Sequence, residues 1–334
     1  MSRAVELASV LETADTLAIV CHDNPDPDCL ASALALEAIA HQQAVATVTI
    51  VYGGDISHQQ NRAFVNMLEI DLEPVAEIDL ESFDAIAFVD HSEPGANTEV
   101  APTIEPTIVV DHHPGEPADA RFVDVRTKYG ATATIFVEYI DDLEVEMTAR
   151  LGSALLFALH RERLDFVRQP TRREYEAALS IYPHADFDTL EQLYGSAFSP
   201  GTIDAIGRAI DTRTRRGSSL VASVATTAET DALPQAADFL LNLEGVDTVL
   251  VYGIVDDAIR LSGRSIDPRI HIGETLEEGF SRFGAVGGHH DMAGGRIELG
   301  LFADGDDDAQ ALLEFAGHRI RRRFFHALNL DDDR

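Results

Sequence analysis

Four short runs in the first third of the chain are almost wholly apolar and rich in valine and isoleucine: 16–22 (TLAIVCH), 47–52 (TVTIVY), 84–90 (DAIAFVD) and 106–111 (PTIVVD). Continuous rather than alternating apolarity predicts strands buried on both faces, as in a parallel sheet. Residues 29–43, rich in alanine and leucine, and 58–69 carry helical spacing between these runs. Strands alternating with helices predict βαβ units and a doubly wound, mainly parallel sheet of the α/β class. Residues 130–164 and 171–194 read as helices only. A further helix over 200–216 enters at Ser199-Pro200 and ends in TRTRRG, with Gly217 as a boundary. The pattern then restarts as strand 219–226, helix 231–243, strands 246–255 and 258–264, helix 275–283, strand 296–301 and helix 307–326. The expected organisation is a first domain over 1–195, a linker helix over 196–217 and a smaller α/β domain over 218–327. No internal repeat is visible, and Asp331-Asp332-Asp333 reads as a solvated end.

With 334 residues and 45% apolar content the chain has material for real cores, which excludes a disordered protein. Its charge changes the picture more. Asp and Glu number 58 against 25 Lys and Arg, a formal charge of −33, and Lys128 is the single lysine. This pattern predicts a halophilic protein rather than an acidic mesophilic one, because in about 1 M salt the Debye length falls to about 3 Å and carboxylate repulsion is screened. Such a surface cannot attract long duplex DNA by phosphate neutralisation. A polyanionic substrate must be short or held by metal. Cys21 and Cys29 form no disulfide framework, the N-terminus lacks an export signal, and no stretch reaches 18 uncharged apolar residues. A cytoplasmic protein without a membrane partner is expected.

The chemistry concentrates where the apolar runs end. The first ends in CHDNPDPDCLAS, placing His22, Asp26 and Asp28 in one loop before a helix. The carboxyl end of a parallel strand is where α/β sheets bind ligands, although an Asn/Asp/Pro turn with a capped helix explains this loop alone equally well. The third run ends in VDHSEPG, offering Asp90 and His91. The fourth ends in VVDHHPG, offering Asp111, His112 and His113. An Asp-His strand end is sometimes a core pair, but three such ends together point to a metal site. Carboxylates and imidazoles without thiolate suit Mn²⁺, Mg²⁺ or Fe²⁺. Cys29 reads as a small core residue. Two ions need a bridging carboxylate, and Asp90 is the natural candidate.

These residues, in this order, resemble the DHH phosphoesterase family, named for the Asp-His-His seen here as Asp111-His112-His113. HDNPDPD is similar to the family's first motif, VDH to its second, DHHPG to its third, and GATATI at 130–135 to the small-residue stretch that follows. GGHHDMAGG at 287–295 resembles the signature of the first type of DHH-associated domain, and SGRS at 262–265 its arginine-serine element. The resemblance implies a metal-binding domain and a C-terminal substrate domain across a cleft, as in RecJ-like and NrnA-type enzymes. It implies one Mn²⁺ on His22, Asp26 and Asp90 and a second on Asp28, Asp90 and His112, with Mg²⁺ as an alternative. His113 would approach the scissile phosphate, so that Asp90, His112 and His113 form the catalytic set. Arg264, Ser265, Gly287, Gly288 and His289 would hold substrate phosphates. One departure stands out: where the family places an aspartate at a helix end to complete the second metal site, this chain has Glu162 between Arg161 and Arg163.

The implied activity is Mn-dependent hydrolysis of short oligonucleotides or small nucleotides: nanoRNA, 3′-phosphoadenosine 5′-phosphate or dinucleotides. The alternative is a nucleotide-binding regulatory protein with a partly degenerate metal site. A homodimer is left open.

Overall fold

The computed structural model describes residues 2–56, 58–95, 97–163, 165–167, 170–195, 198–300 and 309–330. The chain divides into two compact units, Met1–Ala197 and Phe198–Arg334.

In the first unit, β1 (Thr16–Val20), β2 (Thr47–Tyr52), β3 (Glu73–Pro74), β4 (Ala85–Val89), β5 (Ile108–Asp111) and β6 (Phe122–Val125) form a parallel sheet in the order β3-β2-β1-β4-β5-β6. The strand order reverses between β1 and β4, as a doubly wound sheet requires, so their carboxyl ends lie side by side at a switch point. Alternate strand residues serve two cores. Leu17, Ile19, Ala85, Ala87, Ile108 and Val110 pack with helices α1 (Arg3–Leu11), α2 (Pro27–Gln42), α3 (Gln59–Met67), α4 (Thr132–Leu143), α5 (Ala149–Glu162), α6 (Arg172–Ile181) and α7 (Phe187–Gly195). Ala18, Val20, Ile86, Phe88 and Val109 face the other way, where Leu80, Val100 and partly buried Val75, Ile78 and Ile104 cover them. Helix α2 is buried over most of its surface because Ala31, Ala33, Ala35 and Ala40 let the sheet, α4 and α5 approach from different sides. Its start is therefore rigid, and the first candidate loop enters there.

The second unit holds α8 (Pro200–Thr212), β7 (Thr214–Arg216), β8 (Ser219–Thr226), α9 (Ala232–Leu241), β9 (Thr248–Val255), β10 (Ala258–Ser265), α10 (Ile272–Phe280), β11 (Ala285–Gly288), β12 (Met292–Glu298) and α11 (Ala309–Ala327). Its sheet runs β11-β12-β10-β9-β8-β7, antiparallel except for β8–β9. Helices α8 and α9 pack on one face, and α10 and α11 on the other. The helix expected over 200–216 stops at Thr212 and packs against β8 and α9. The TRR expected at its end is strand β7, paired with β8 through a turn at Gly217, whose φ of +58° suits glycine. No helix among the described residues is long and apolar enough to cross a membrane.

Candidate metal centre

The ends of β1, β4 and β5 bring their loops together at the switch point. Asp90 follows β4 in a left-handed conformation, φ +62°, which turns its buried carboxylate between the other two loops. Its Oδ2 lies 3.6 Å from His22 Nε2, and its Oδ1 lies 3.7 Å from His112 Nε2 and 3.8 Å from His113 Nδ1. His22 Nε2 is also 3.9 Å from Asp26, and His112 Nε2 is 3.8 Å from Asp28. One carboxylate thus faces an imidazole from each of its oxygens.

Each ring is turned by a backbone carbonyl. His22 Nδ1–H donates to Asp23 O at 2.9 Å and His112 Nδ1–H to Tyr129 O at 3.3 Å, leaving both Nε2 atoms directed at carboxylates. The Asp26 carboxylate caps α2, accepting from the Asp28 and Cys29 amides at 2.9 and 3.1 Å. Asp28 reaches the start of α4 instead, accepting from the amides of Thr132 at 2.8 Å and Ala133 at 2.9 Å. The Thr132 hydroxyl donates to Asp90 Oδ1 at 2.7 Å. Gly130, just before α4, is hemmed in by other groups: a Cβ there would lie 2.5 Å from Arg163 Nε and 2.6 Å from the Glu174 carboxyl. His113 is held differently. Its Nδ1–H donates to Asp111 at 2.9 Å, and its ring is about half exposed.

The electrostatics describe a site short of positive charge. Burial, then Asp90, pushes the Asp26 and Asp28 carboxyls up. Burial, then Asp26 and Asp90, pushes Glu162 up to about 7. Asp90 goes the other way: burial would raise it, but His22, His112 and His113 hold it down to about 2. His22 is raised to about 10 by Asp90 and Asp26 against its burial, so a proton on its ring supplies the charge that these carboxylates call for. A hard divalent ion meets the same demand. Ligand atoms each about 2.1 Å from one ion, at 90–120°, lie about 3.0–3.6 Å apart. The imidazole–carboxylate separations of 3.6–3.9 Å are beyond a hydrogen bond and within a few tenths of that range. The imidazoles of His22 and His112 around Asp90 therefore suit a hard divalent ion.

Cys29 also lies close to His22 and Asp90. Its thiol donates to Val89 O at 3.4 Å, and burial, then Cys21, pushes its pKa well up, so it stays protonated as a core residue. Glu162 ends α5 beside the cluster. Among the described residues neither Arg161 nor Arg163 forms an ion pair with it, although the field of Arg163 lowers its pKa against the effect of burial. His91 does not join the site: it stacks on Phe88, donates to Val89 O at 3.0 Å and is driven down to about 4 by burial.

The second unit contains a groove of about 700 Å³, lined in part by Arg260, Ser262 and Arg264 of β10, Gly287 of β11, Gly294 of β12 and Leu233 of α9. His289 lines it from the β11–β12 turn, which its amide closes onto Met292 O at 2.7 Å. Gly288 is needed there, because a Cβ would sit 2.4 Å from Met292 O. Arg264 lies in the groove with its Nε donating to Asp238 at 2.7 Å. Ser265, expected beside it, does not line the groove. Strand alternation turns it inward, where its buried hydroxyl meets Thr248 Oγ1 at 3.0 Å and accepts from the Asp267 amide.

Residues 16–159 match the DHH family N-terminal domain, and residues 217–322 match the DHHA1 domain. The chain belongs to the DHH family. An uncharacterised protein of Methanocaldococcus jannaschii is 34% identical over 318 residues, 95% of this chain and 65% of that one. A probable manganese-dependent inorganic pyrophosphatase of Lactobacillus johnsonii is 25% identical over 178 residues, 51% of this chain and 55% of its own. The DHH chain thus spans about half to two thirds of the length of these curated relatives. The crystal structure of an exopolyphosphatase-related protein from Bacteroides fragilis shares the fold, with a TM-score of 0.73, 15% identity and 97% coverage of both chains.

The three motif loops of the DHH domain therefore meet as the sequence suggested. What sequence reading missed are the residues that aim them: Thr132, the Tyr129 carbonyl, and Asp111 as the partner of His113. In the sequence, GATATI reads only as a small-residue stretch. Its part as the amide donor to Asp28 depends on a contact between residues 104 positions apart.

Proposed function

We propose that this DHH-family chain is a manganese-dependent phosphoesterase acting on short oligonucleotides or small nucleotides, with magnesium as the alternative ion. One ion would be held by His22, Asp26 and Asp90, the other by Asp28, Asp90, His112 and Glu162. The observation that carries this reading is Asp90, whose two oxygens face His22 and His112 at 3.6 and 3.7 Å. When bound, such ions activate water and offset charge on phosphoryl oxygens.

The chain's own residues do the rest. Asp28 and Asp90 are fixed by the start of α4, so the ligand cage needs little rearrangement. His113, anchored through Nδ1 to Asp111 and half exposed, is placed to present Nε2–H to a leaving oxygen. In the DHHA1 groove, Arg264, His289 and the open Gly287 backbone would hold substrate phosphates. The −33 charge supports short substrates over long strands.

The test is a turnover screen of metal-stripped, Mn²⁺-reloaded protein in KCl against short oligoribonucleotides, 3′-phosphoadenosine 5′-phosphate, and linear and cyclic dinucleotides. Turnover of at least one is expected in Mn²⁺, with none in chelator and none for Asp90→Ala. Undiminished turnover in excess chelator overturns the reading. Tight nucleotide binding without turnover in Mn²⁺ replaces it with a nucleotide-binding regulator.

A further inference from the structure

In a chain with a charge of −33, the groove of the DHHA1 domain carries three arginines, Arg260, Arg264 and Arg296. Two of them are committed. Arg264 Nε donates to Asp238 at 2.7 Å. Arg296 donates to Glu298 at 2.6 Å and to Asp257 at 3.1 Å. Arg260 differs: among the described residues it has no hydrogen bond or ion pair, and its Nε is shielded from water without an acceptor. Glu298 lies within its field, yet the Glu298 oxygens bond Arg296 instead.

Register makes the position costlier. Arg260 stands directly opposite Arg296 in the antiparallel β10–β12 pair, where like charges repel. Among the described residues nothing near it requires a cation, because the next cross-strand positions on that face are small. Ser262 pairs with Gly294, which pairs with Gly287, so a flat floor crosses three strands. A Cβ at Gly294 would meet nothing nearer than Leu261 O at 3.7 Å, and one at Gly287 nothing nearer than the Glu277 carboxylate at 3.8 Å. Arg260 and Arg264 flank this floor from the same face of β10. Four residues of strand put their Cα atoms about 13 Å apart, so one small anion cannot occupy both ends of the floor.

We propose that Arg260 is a second anion anchor, and that the DHHA1 groove selects ligands carrying two phosphate groups over ligands carrying one. Arg264 takes the first phosphate, the glycine floor accommodates the nucleoside between them, and the unpartnered Arg260 fork takes the second. The proposal rests on the groove being the substrate site. It adds the substrate feature that the groove reads: a second phosphate.

The test is equilibrium binding, by fluorescence anisotropy on the full-length chain in chelator, of a labelled dinucleotide with and without its 5′-phosphate. Wild type is expected to prefer the 5′-phosphorylated form. Arg260→Gln should weaken that form about 10- to 100-fold, the size of one charge-assisted contact, and change the other less than about twofold. Arg260→Lys, which keeps the charge but loses the fork, should fall between. Thermal melting separates ligand recognition from a structural role: removing the Arg260–Arg296 repulsion should leave the melting temperature unchanged or raised, whereas a packing role would lower it. If wild type binds neither dinucleotide, the groove is not the substrate site and the functional reading itself loses its substrate domain. If wild type prefers the phosphorylated form and Arg260→Gln binds it equally well, only the second anchor is overturned.

Discussion

At Asp28 one carboxylate answers two demands, since it accepts both leading amides of α4 and lies 3.8 Å from the ring of His112. Asp90 carries no comparable backbone duty. Its left-handed φ is tolerated by Asn as well as Asp, and its field raises Asp26, Asp28 and Glu162. In chelator at neutral pH, Asp28→Ala is expected to lower stability by about 1–2 kcal/mol, the scale of a lost helix cap, and Asp90→Asn should lower it as well, because a carboxyl held below its unfolded value stabilises the fold when ionised. Both should lose Mn²⁺ in calorimetric titration. A destabilised Asp90→Asn with full metal stoichiometry would show that its carboxylate is structural. Glu162 tests the second ion: Glu162→Gln should lose one Mn²⁺ equivalent and most activity, and a wild type that takes up one equivalent in excess Mn²⁺ would contradict it. At this scale the clustering of hard donors is legible, because such residues at strand ends have few other uses. Ser265 was misread because strand parity decides its face, and that parity is fixed only by the β9 and β12 pairings.

Among the elements, the long apolar runs were legible and the short or glycine-rich ones were not. Strand β6 has four residues and carries Asp124, which breaks its apolar signal. Strand β11 is AVGG, and β12 begins four residues before the expected run because Gly294 and Gly295 hide its start. The Asp124 that obscures β6 is what binds it to its neighbours. Arg126 donates to both its oxygens at 2.7–3.1 Å and also to Glu138 of α4 at 2.5 Å, and the Tyr139 hydroxyl donates to Asp124 as well. Burial pushes the Asp124 carboxyl up, but Arg126 and Tyr139 hold it below the usual carboxylate range. A folded value below the unfolded one means that the stabilisation is present above the unfolded pKa of about 3.9 and is lost as pH falls through the folded value. Asp124→Asn should thus cost roughly 1.5–3 kcal/mol at neutral pH. In urea titrations its deficit relative to wild type should shrink below about pH 4. A deficit equally large in acid would mean that packing, not charge, holds β6.

For the whole molecule the decisive quantity is the imbalance of 58 carboxylates against 25 Lys and Arg, which sequence alone supplies and no single contact reveals. Many of the arginines are already committed: Arg126, Arg264, Arg269 and Arg296 each bond nearby carboxylates, so most of the negative charge is left to solvent and ions. Two effects of salt then oppose one another. Screening weakens the exposed pairs of Arg269 and Arg296, each worth about 0–1 kcal/mol. It also relieves the mutual repulsion of the uncompensated carboxylates, which the compact state concentrates and the unfolded chain disperses. With so large an excess of one sign, relief of repulsion should win. The expected outcome is a melting temperature that climbs as KCl rises from about 0.1 M to about 1 M, where the Debye length shortens from about 10 Å to about 3 Å. Charge screening is distinguished from ion exclusion by repeating the scan at low pH, where protonated carboxylates no longer repel and the salt gain should largely disappear. A melting temperature that ignores KCl at neutral pH would mean that the acidic surface is already balanced by contacts within the fold, and the halophilic reading would fail.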